Sequence, residues 1–262
     1  MTNQALHVAR SGLDAQNRRM QVIANNLANV NTTGFKRDRA SFEDLAYQQI
    51  VAAGATASGD NKYATGLNLG TGVQMTGTQR IDTQGSITTT SNALDMAIEG
   101  AGFFQVQRPD GTTAYTRAGD FTLSAEGTIV TSDGMPLQPQ IQVPEGATSV
   151  SIGADGTVSA VLAGQGQASE LGKIELARFV NPAGLQPLGN NLLSETAASG
   201  APQVGAAGAE GRGSIRSGAL ESSNVNVVEE LVDMIETQRA YEVNSKMIQA
   251  ADEMMRNANQ QF

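Results

Sequence analysis

The sequence predicts an α+β chain in which long N- and C-terminal amphipathic helices form a coiled-coil layer and flank a mainly antiparallel β middle domain. Three observations predict it. Leu6, Leu13, Met20 and Leu27 fall seven residues apart, with Ala9, Gln16, Ile23 and Val30 three residues after each, which is an a/d stripe of period 3.5. Near the other end Val227, Met234, Tyr241, Ile248 and Met255 repeat the seven-residue interval, and Leu231 and Ile235 widen the stripe. Between the two stripes the chain is rich in Gly, Ser and Thr, with short β-branched runs broken by turn dipeptides.

The first helix is expected to start near Thr2 or Asn3, either of which can cap it, and to fail by the Asn-Thr-Thr-Gly run at 31–34. Gly34 is the expected C′ residue there, and Lys36, Arg37 and Arg39 then follow the negative end of the helix. Residues 41–51 carry apolar side chains at Phe42, Leu45 and Ile50 and are open to a short helix or a strand. Residues 52–66 are too small and polar to bury anything by themselves, so they form a loop or an extended arm. Val73–Ile81 and Ser86–Thr90 are expected as strands.

Residues 94–139 give the clearest β pattern. Pro109-Asp110-Gly111, Ala125-Glu126-Gly127 and Asp133-Gly134 each separate alternating or β-branched runs, which is hairpin punctuation. Asp155-Gly156 continues the series, with strands expected at 158–162 and 174–180; residues 194–213 are expected as a loop and 215–220 as a last strand. Asn226 with Glu229 three residues on is an Asn version of the capping box, so the closing helix runs from Val227 to about Asn257. Helices of such lengths extend about 40–45 Å at ~1.5 Å per residue. A small β domain cannot cover them, so another chain is expected to do so.

Composition narrows the function classes. Aromatic residues make up 4% and tryptophan is absent, so the core must be small and aliphatic. The net charge of −9 argues against nucleic acid as a partner. No run of about 18 apolar residues is present to span a membrane as a helix. The N-terminal MTNQALHVARSG has neither a basic n-region nor an apolar h-region, so no cleaved secretory signal is expected there. Zero cysteines remove disulfides, thiolate metal sites and thiol catalysis.

Candidate chemical sites all favour a bland account. His7 is the only histidine, with no Cys or carboxylate cluster near it in sequence. Gly66, Gly70 and Gly72 lack the Lys-Ser/Thr of a phosphate loop, and turns explain them better. The Asp-Gly pairs lack the ligand spacing of a calcium loop. Carboxylate pairs such as Glu229 with Glu230, or Asp252 with Glu253, are expected on solvated helix faces. No catalytic residue, cofactor site, metal site or small-molecule substrate is predicted, and the chain is not expected to be an enzyme. A cell-wall hydrolase built on Glu99 or Asp120 and a self-trimerising surface-binding module are the rivals from other classes. The heptads themselves also fit two core helices packed together inside a monomer.

A resemblance decides between these. Ser11-Gly12-Leu13 with Asn25, Asn26, Leu27, Ala28, Asn29, Val30, Asn31, Thr32, Thr33, Gly34, Phe35 and Lys36 resembles the N-terminal signature of the bacterial flagellar rod and hook protein family. Ser222-Ser223-Asn224-Val225-Asn226-Val227, followed by Gln238, Arg239, Ala240, Tyr241 and Glu242-Val243-Asn244-Ser245-Lys246, resembles its closing helix. Gly100, Gly102-Phe103-Phe104, Tyr115-Thr116-Arg117, Gly119 and Phe121 resemble its shared β domain. Within the family the closing phrase and the 47–73 arm favour the distal rod branch, with proximal rod and hook subunits as the alternatives.

The resemblance implies a structural subunit that polymerises helically into a hollow drive shaft, transmitting torque and conducting exported subunits. It implies a helical axial core at 1–34 and 224–262, a linker region at 35–90 and 214–223 with an extended arm at about 47–73, and a β-rich outer domain at 91–213. The expected assembly interface is Leu6, Leu13, Met20, Ile23, Leu27, Val30, Val227, Leu231, Met234, Ile235, Tyr241, Ile248 and Met255. The implied partners are copies of the chain, proximal rod proteins, the hook protein, the rod cap, the surrounding ring proteins and the export apparatus. The implied location is the periplasmic rod of the basal body.

Overall fold

The computed structural model describes residues 2–54, 56–58, 61–62, 64–162 and 168–260. Two helices bracket the chain, α1 at Thr2–Ala28 and α2 at Val227–Gln260, and antiparallel strands fill the span between them. The chain divides into two compact units. One gathers Met1–Leu27, Asp38–Gln79 and Asn226–Phe262, and the other gathers Ala28–Arg37 and Arg80–Val225.

The first unit holds both helices and a two-stranded hairpin. Asp38–Asp44 pairs with Val73–Arg80 at its base, Gln48–Val51 pairs antiparallel with Leu67–Leu69, and Thr56–Ser58 pairs antiparallel with Asn61–Lys62. Residues 41–51 therefore fall in two strands, joined at 45–47, rather than in a helix. Leu45 N donates to Gly72 O at 2.9 Å, carrying the ladder across the junction between the paired segments. Positions 55, 59, 60 and 63 of the expected loop or arm lie outside the described residues. The start of α2 follows the sequence expectation: Val228 N donates to Asn226 Oδ1 at 3.1 Å, which satisfies one orphan amide of the first turn. α1 begins at Thr2, while the side chains of its first turn lie outside the described residues.

The second unit is built on a seven-stranded antiparallel sheet. Its spatial order is Gln186–Gly189, Leu192–Ser194, Thr113–Thr116, Phe103–Gln107, Glu175–Arg178 and Gln203–Ala206, with Leu137–Gln138 also paired to Phe103–Gln107. Residues of a strand alternate between faces, so Phe103 and Phe104 enter different cores. Phe104 joins Met96, Ile98, Val106, Phe121, Ile129, Leu137, Ile174 and Leu176, while Phe103 joins Tyr115, Ala177, Phe179, Leu185 and Leu193. Edge-to-face ring pairs tighten both: Phe104 with Phe121 at 5.2 Å and Tyr115 with Phe179 at 4.8 Å. The two edge-to-face contacts place the few aromatics where they bury most area.

The expected turns at Asp110-Gly111, Glu126-Gly127, Asp133-Gly134 and Asp155-Gly156 all reverse the chain, and each glycine has φ between 77° and 87°. One expectation for this sheet fails. Residues 194–213 are not a single loop, because Gln203–Ala206 pairs along Glu175–Arg178 as an edge of the main sheet. Its Gly and Ala content hid it, since an edge strand needs backbone pairing more than β-branched side chains. The last strands of the unit return to its first ones: Ser214–Ser217 pairs with Met96–Glu99, and Ala219–Glu221 with Ile87–Thr89.

Candidate assembly interface

The helices touch through an antiparallel seam that is polar. Gly12 faces Asn244, whose Nδ2 would lie 3.1 Å from a Cβ at position 12. Arg19 pairs with Asp233 at 3.4 Å. Asn26 Nδ2 donates to both Glu230 oxygens at 3.3 and 3.2 Å. Thr237, with no exposed surface, donates its Oγ1 to Asp233 O at 2.7 Å within α2. Glu230 is 3% exposed, so the expectation of a solvated carboxylate there is corrected: only its neighbour Glu229 is exposed.

Asn26 is also fixed from a third side. Its Nδ2 donates to Asp38 O at 2.9 Å, and Asp38 N donates to its Oδ1 at 2.9 Å. The amide thus pairs with the backbone at the root of the hairpin as a neighbouring strand would. A second junction lies farther along α1, where Val73 N donates to Ser11 Oγ at 3.3 Å.

The apolar residues of the expected interface differ in burial. Ile23 is buried; Leu6, Leu13, Met20, Leu27, Val30, Met234 and Ile248 are half-buried; Val227, Leu231, Ile235 and Tyr241 are exposed. The side chain of Met255 lies outside the described residues. Val228 and Val232, which sequence analysis did not single out, extend the exposed stripe at 69% and 51%. On the hairpin Tyr47, Ile50, Leu67 and Leu69 are exposed as well.

The N-terminal signature has a different task in the second unit. After α1 the residues Asn29 to Lys36 turn the chain, with Thr32 N donating to Asn29 O at 3.2 Å and Phe35 N to Thr32 O at 3.3 Å. Gly34 is not a helix C′ residue, since α1 ends at Ala28. It sits at φ 69° with its α-carbon so close to the chain that a Cβ would lie 2.7 Å from Ala118 N. That approach delivers Lys36 to a buried ion cluster.

Glu221, 1% exposed, accepts from Lys36 Nζ and Gly85 N through Oε1 and from Arg117 Nε through Oε2, the last at 2.6 Å. Lys36 Nζ also donates to Thr83 O at 2.8 Å, and Arg117 to the carbonyls of Gly102 and Gly100 at 2.6 Å and of Ile98 at 3.0 Å. Burial holds the Lys36 ammonium below its usual value although the Glu221 carboxylate lies against it. Burial also pushes the Glu221 carboxyl up, but the Arg117 charge and the hydrogen bonds from Arg117 and Lys36 outweigh it and leave a net lowering. Lys36 is therefore not part of a solvated basic patch at a helix end.

Of the remaining signature residues, Gln238 and Arg239 are exposed on α2, Ala240 is half-buried, and Asn25, Ala28 and Asn31 are exposed around the end of α1. Sequence analysis missed Glu221 as the carboxylate shared by Lys36 and Arg117. For the seam, the polar row Glu230, Thr237, Asn244 at seven-residue spacing was the available signal. Among the described residues, no group of three or more His, Asp or Glu side chains is placed to hold a metal ion.

Terminal helices joined in one unit, with a β unit inserted between them, define a class of chain whose ends come together. Family comparison gives that class its biological identity. The model for "Flagella basal body rod protein" matches residues 6–36, that for "Flagellar hook protein FlgE/F/G D1 domain" matches 97–160, and that for "Flagellar basal body rod FlgEFG protein C-terminal" matches 216–261. The chain belongs to the flagellar basal-body rod protein family.

Full-length relatives sharpen the placement. The flagellar basal-body rod protein FlgG of Buchnera aphidicola subsp. Acyrthosiphon pisum is 50% identical over 98% of both chains. FlgG of Caulobacter vibrioides is 47% identical over 98% of both. FlgF of the same organism is 37% identical over 97% of this chain and 96% of its own.

Proposed function

We infer that the chain is a structural subunit of the distal rod of the bacterial flagellum, polymerising helically into the shaft that joins motor to hook. The exposed apolar stripe Val228, Leu231, Val232 and Ile235 on α2 carries this inference. Burying each such side chain contributes ~1.5–3 kcal/mol, and neighbouring copies would supply the cover. The difference between 47% identity to FlgG and 37% to FlgF in Caulobacter vibrioides supports the distal position over the proximal one.

In the assembled shaft, α1 and α2 form a coiled-coil layer, residues 91–213 form the outer domain, and the 47–73 arm lies among neighbouring subunits. Contacts between successive copies are heterologous, which lets the stack grow without closing. Proximal rod proteins, the hook protein, the rod cap, the ring proteins and the export apparatus are its partners. The chain acts in the periplasmic rod as a building part, not an enzyme. The test is expression in a cell lacking its own rod protein, followed by mass spectrometry of isolated basal bodies. Many copies per basal body and restored swimming are expected; a soluble discrete trimer with no incorporation would overturn the inference.

A further inference from the structure

We propose that α1 and α2 carry a polar key that sets their register within one chain, with Asn26 and Glu230 as its positioning residues. The key matters in the shaft, so its use there rests on the rod function argued above. The contacts follow one count: Gly12 faces Asn244 and Asn26 faces Glu230, so fourteen residues forward on α1 match fourteen back on α2. Apolar heptads cannot select that count. By the same count Leu6, Leu13, Met20 and Leu27 stand opposite Ala250, Val243, Glu236 and Glu229, and after a slide of seven residues opposite Asn257, Ala250, Val243 and Glu236, two apolar partners in either register.

The polar positions do select it. A slide one way carries Glu230 beyond the end of α1, and a slide the other way carries Asn26 past the start of α2. Either breaks the Asn26–Glu230 hydrogen bonds. The reference is absolute, because the Asn26 amide is tied at both its nitrogen and its oxygen to the Asp38 backbone, outside either helix. A polar group at one seam position specifies register at some cost in stability, and register is the best-attested use of such buried groups. With the polar residues facing each other inside the chain, Leu231 and Ile235 stay outward for other copies.

The absence of cysteine makes the test direct. Gln16 and Ala240 each lie four residues along their helix from the Gly12–Asn244 contact, so Gln16→Cys with Ala240→Cys reports the native register. Gln16→Cys with Met247→Cys reports a seven-residue slip. Both pairs are cross-linked in isolated basal bodies, and products of monomer mass are compared. Chains otherwise native should cross-link only through the first pair, Gln16→Cys with Ala240→Cys. Chains also carrying Asn26→Leu and Glu230→Leu should give the slipped product as well. Exclusive native register in the doubly apolar chain overturns the proposal, and so does slipped product with Asn26 and Glu230 intact. If the double change keeps the chain out of basal bodies, Glu230→Leu alone, which leaves the Asn26–Asp38 bonds, is read the same way. Failure of every chain to enter basal bodies, the native one included, overturns the rod function instead.

Discussion

The β unit and the helical unit use polar and apolar side chains in opposite ways. In the β unit most large apolar residues go inside, Leu123, Val180, Leu188 and Val204 apart, and the buried charges are matched: Phe104, Ile174 and Leu176 have no exposed surface, and Glu221 is shared by Lys36 and Arg117. In the helical unit Asn26, Glu230 and Thr237 are buried, while Val228, Val232 and Ile235 stand half or more exposed. The β unit is complete within one chain. The helical unit leaves the apolar stripe of α2 at its surface.

The strongest way to break this contrast is Ile235→Asp. It should abolish incorporation into basal bodies and swimming while leaving the unfolding free energy of the purified chain within about 0.5 kcal/mol of the native value, as for other surface substitutions. A midpoint that falls with assembly intact would place Ile235 in an internal core. Next in size is Glu221→Ala, which leaves Lys36 and Arg117 buried without their carboxylate and should cost about 3–5 kcal/mol in denaturant unfolding. A loss under about 1 kcal/mol would mean water enters the cluster.

The same residue gives a pH signature. The folded Glu221 carboxyl lies below its usual 4.5, despite burial, because of Arg117 and Lys36. Its contribution is therefore fully present above 4.5 and is lost as pH falls through the folded value. The stability difference between the native chain and Glu221→Gln should shrink over that acid window, and a difference constant with pH would contradict it. Gly34→Ala should cost about 1–3 kcal/mol, because a left-handed backbone conformation then coincides with a close backbone contact. The smallest effect belongs to Asn226→Ala, about 1 kcal/mol through loss of the α2 cap, read as fraying of its first turn by hydrogen exchange.

How much of this was legible in the sequence follows from the range of each interaction. Asp110-Gly111 and Asp155-Gly156 act over a few residues, so their hairpins could be placed from composition alone. The α2 cap was legible for the same reason. Lys36 and Glu221 are 185 residues apart and Arg117 and Glu221 are 104 apart, and no local pattern joins them. Glu230 was misjudged because a carboxylate on a helix is ordinarily solvated, and nothing near it in sequence announces Asn26. The heptads were visible, yet their apolar rows drew attention from the Glu230, Thr237 and Asn244 row that lies along the seam. Gln203–Ala206 escaped because its pairing comes from Glu175–Arg178 and not from its own side chains.

The ion cluster also has a consequence in time. A chain that emerges N-terminus first presents Lys36 early and Glu221 only after most of its length. Ser214–Ser217 and Ala219–Glu221, the strands that complete the pairing of Met96–Glu99 and Ile87–Thr89, arrive equally late. Such long-range closure is slow to form, because loop entropy is lost before contacts reward it. Until then, Lys36 and Arg117 lack the carboxylate they share. The β unit therefore has a late-arriving clasp, which closes only once the final strands have emerged.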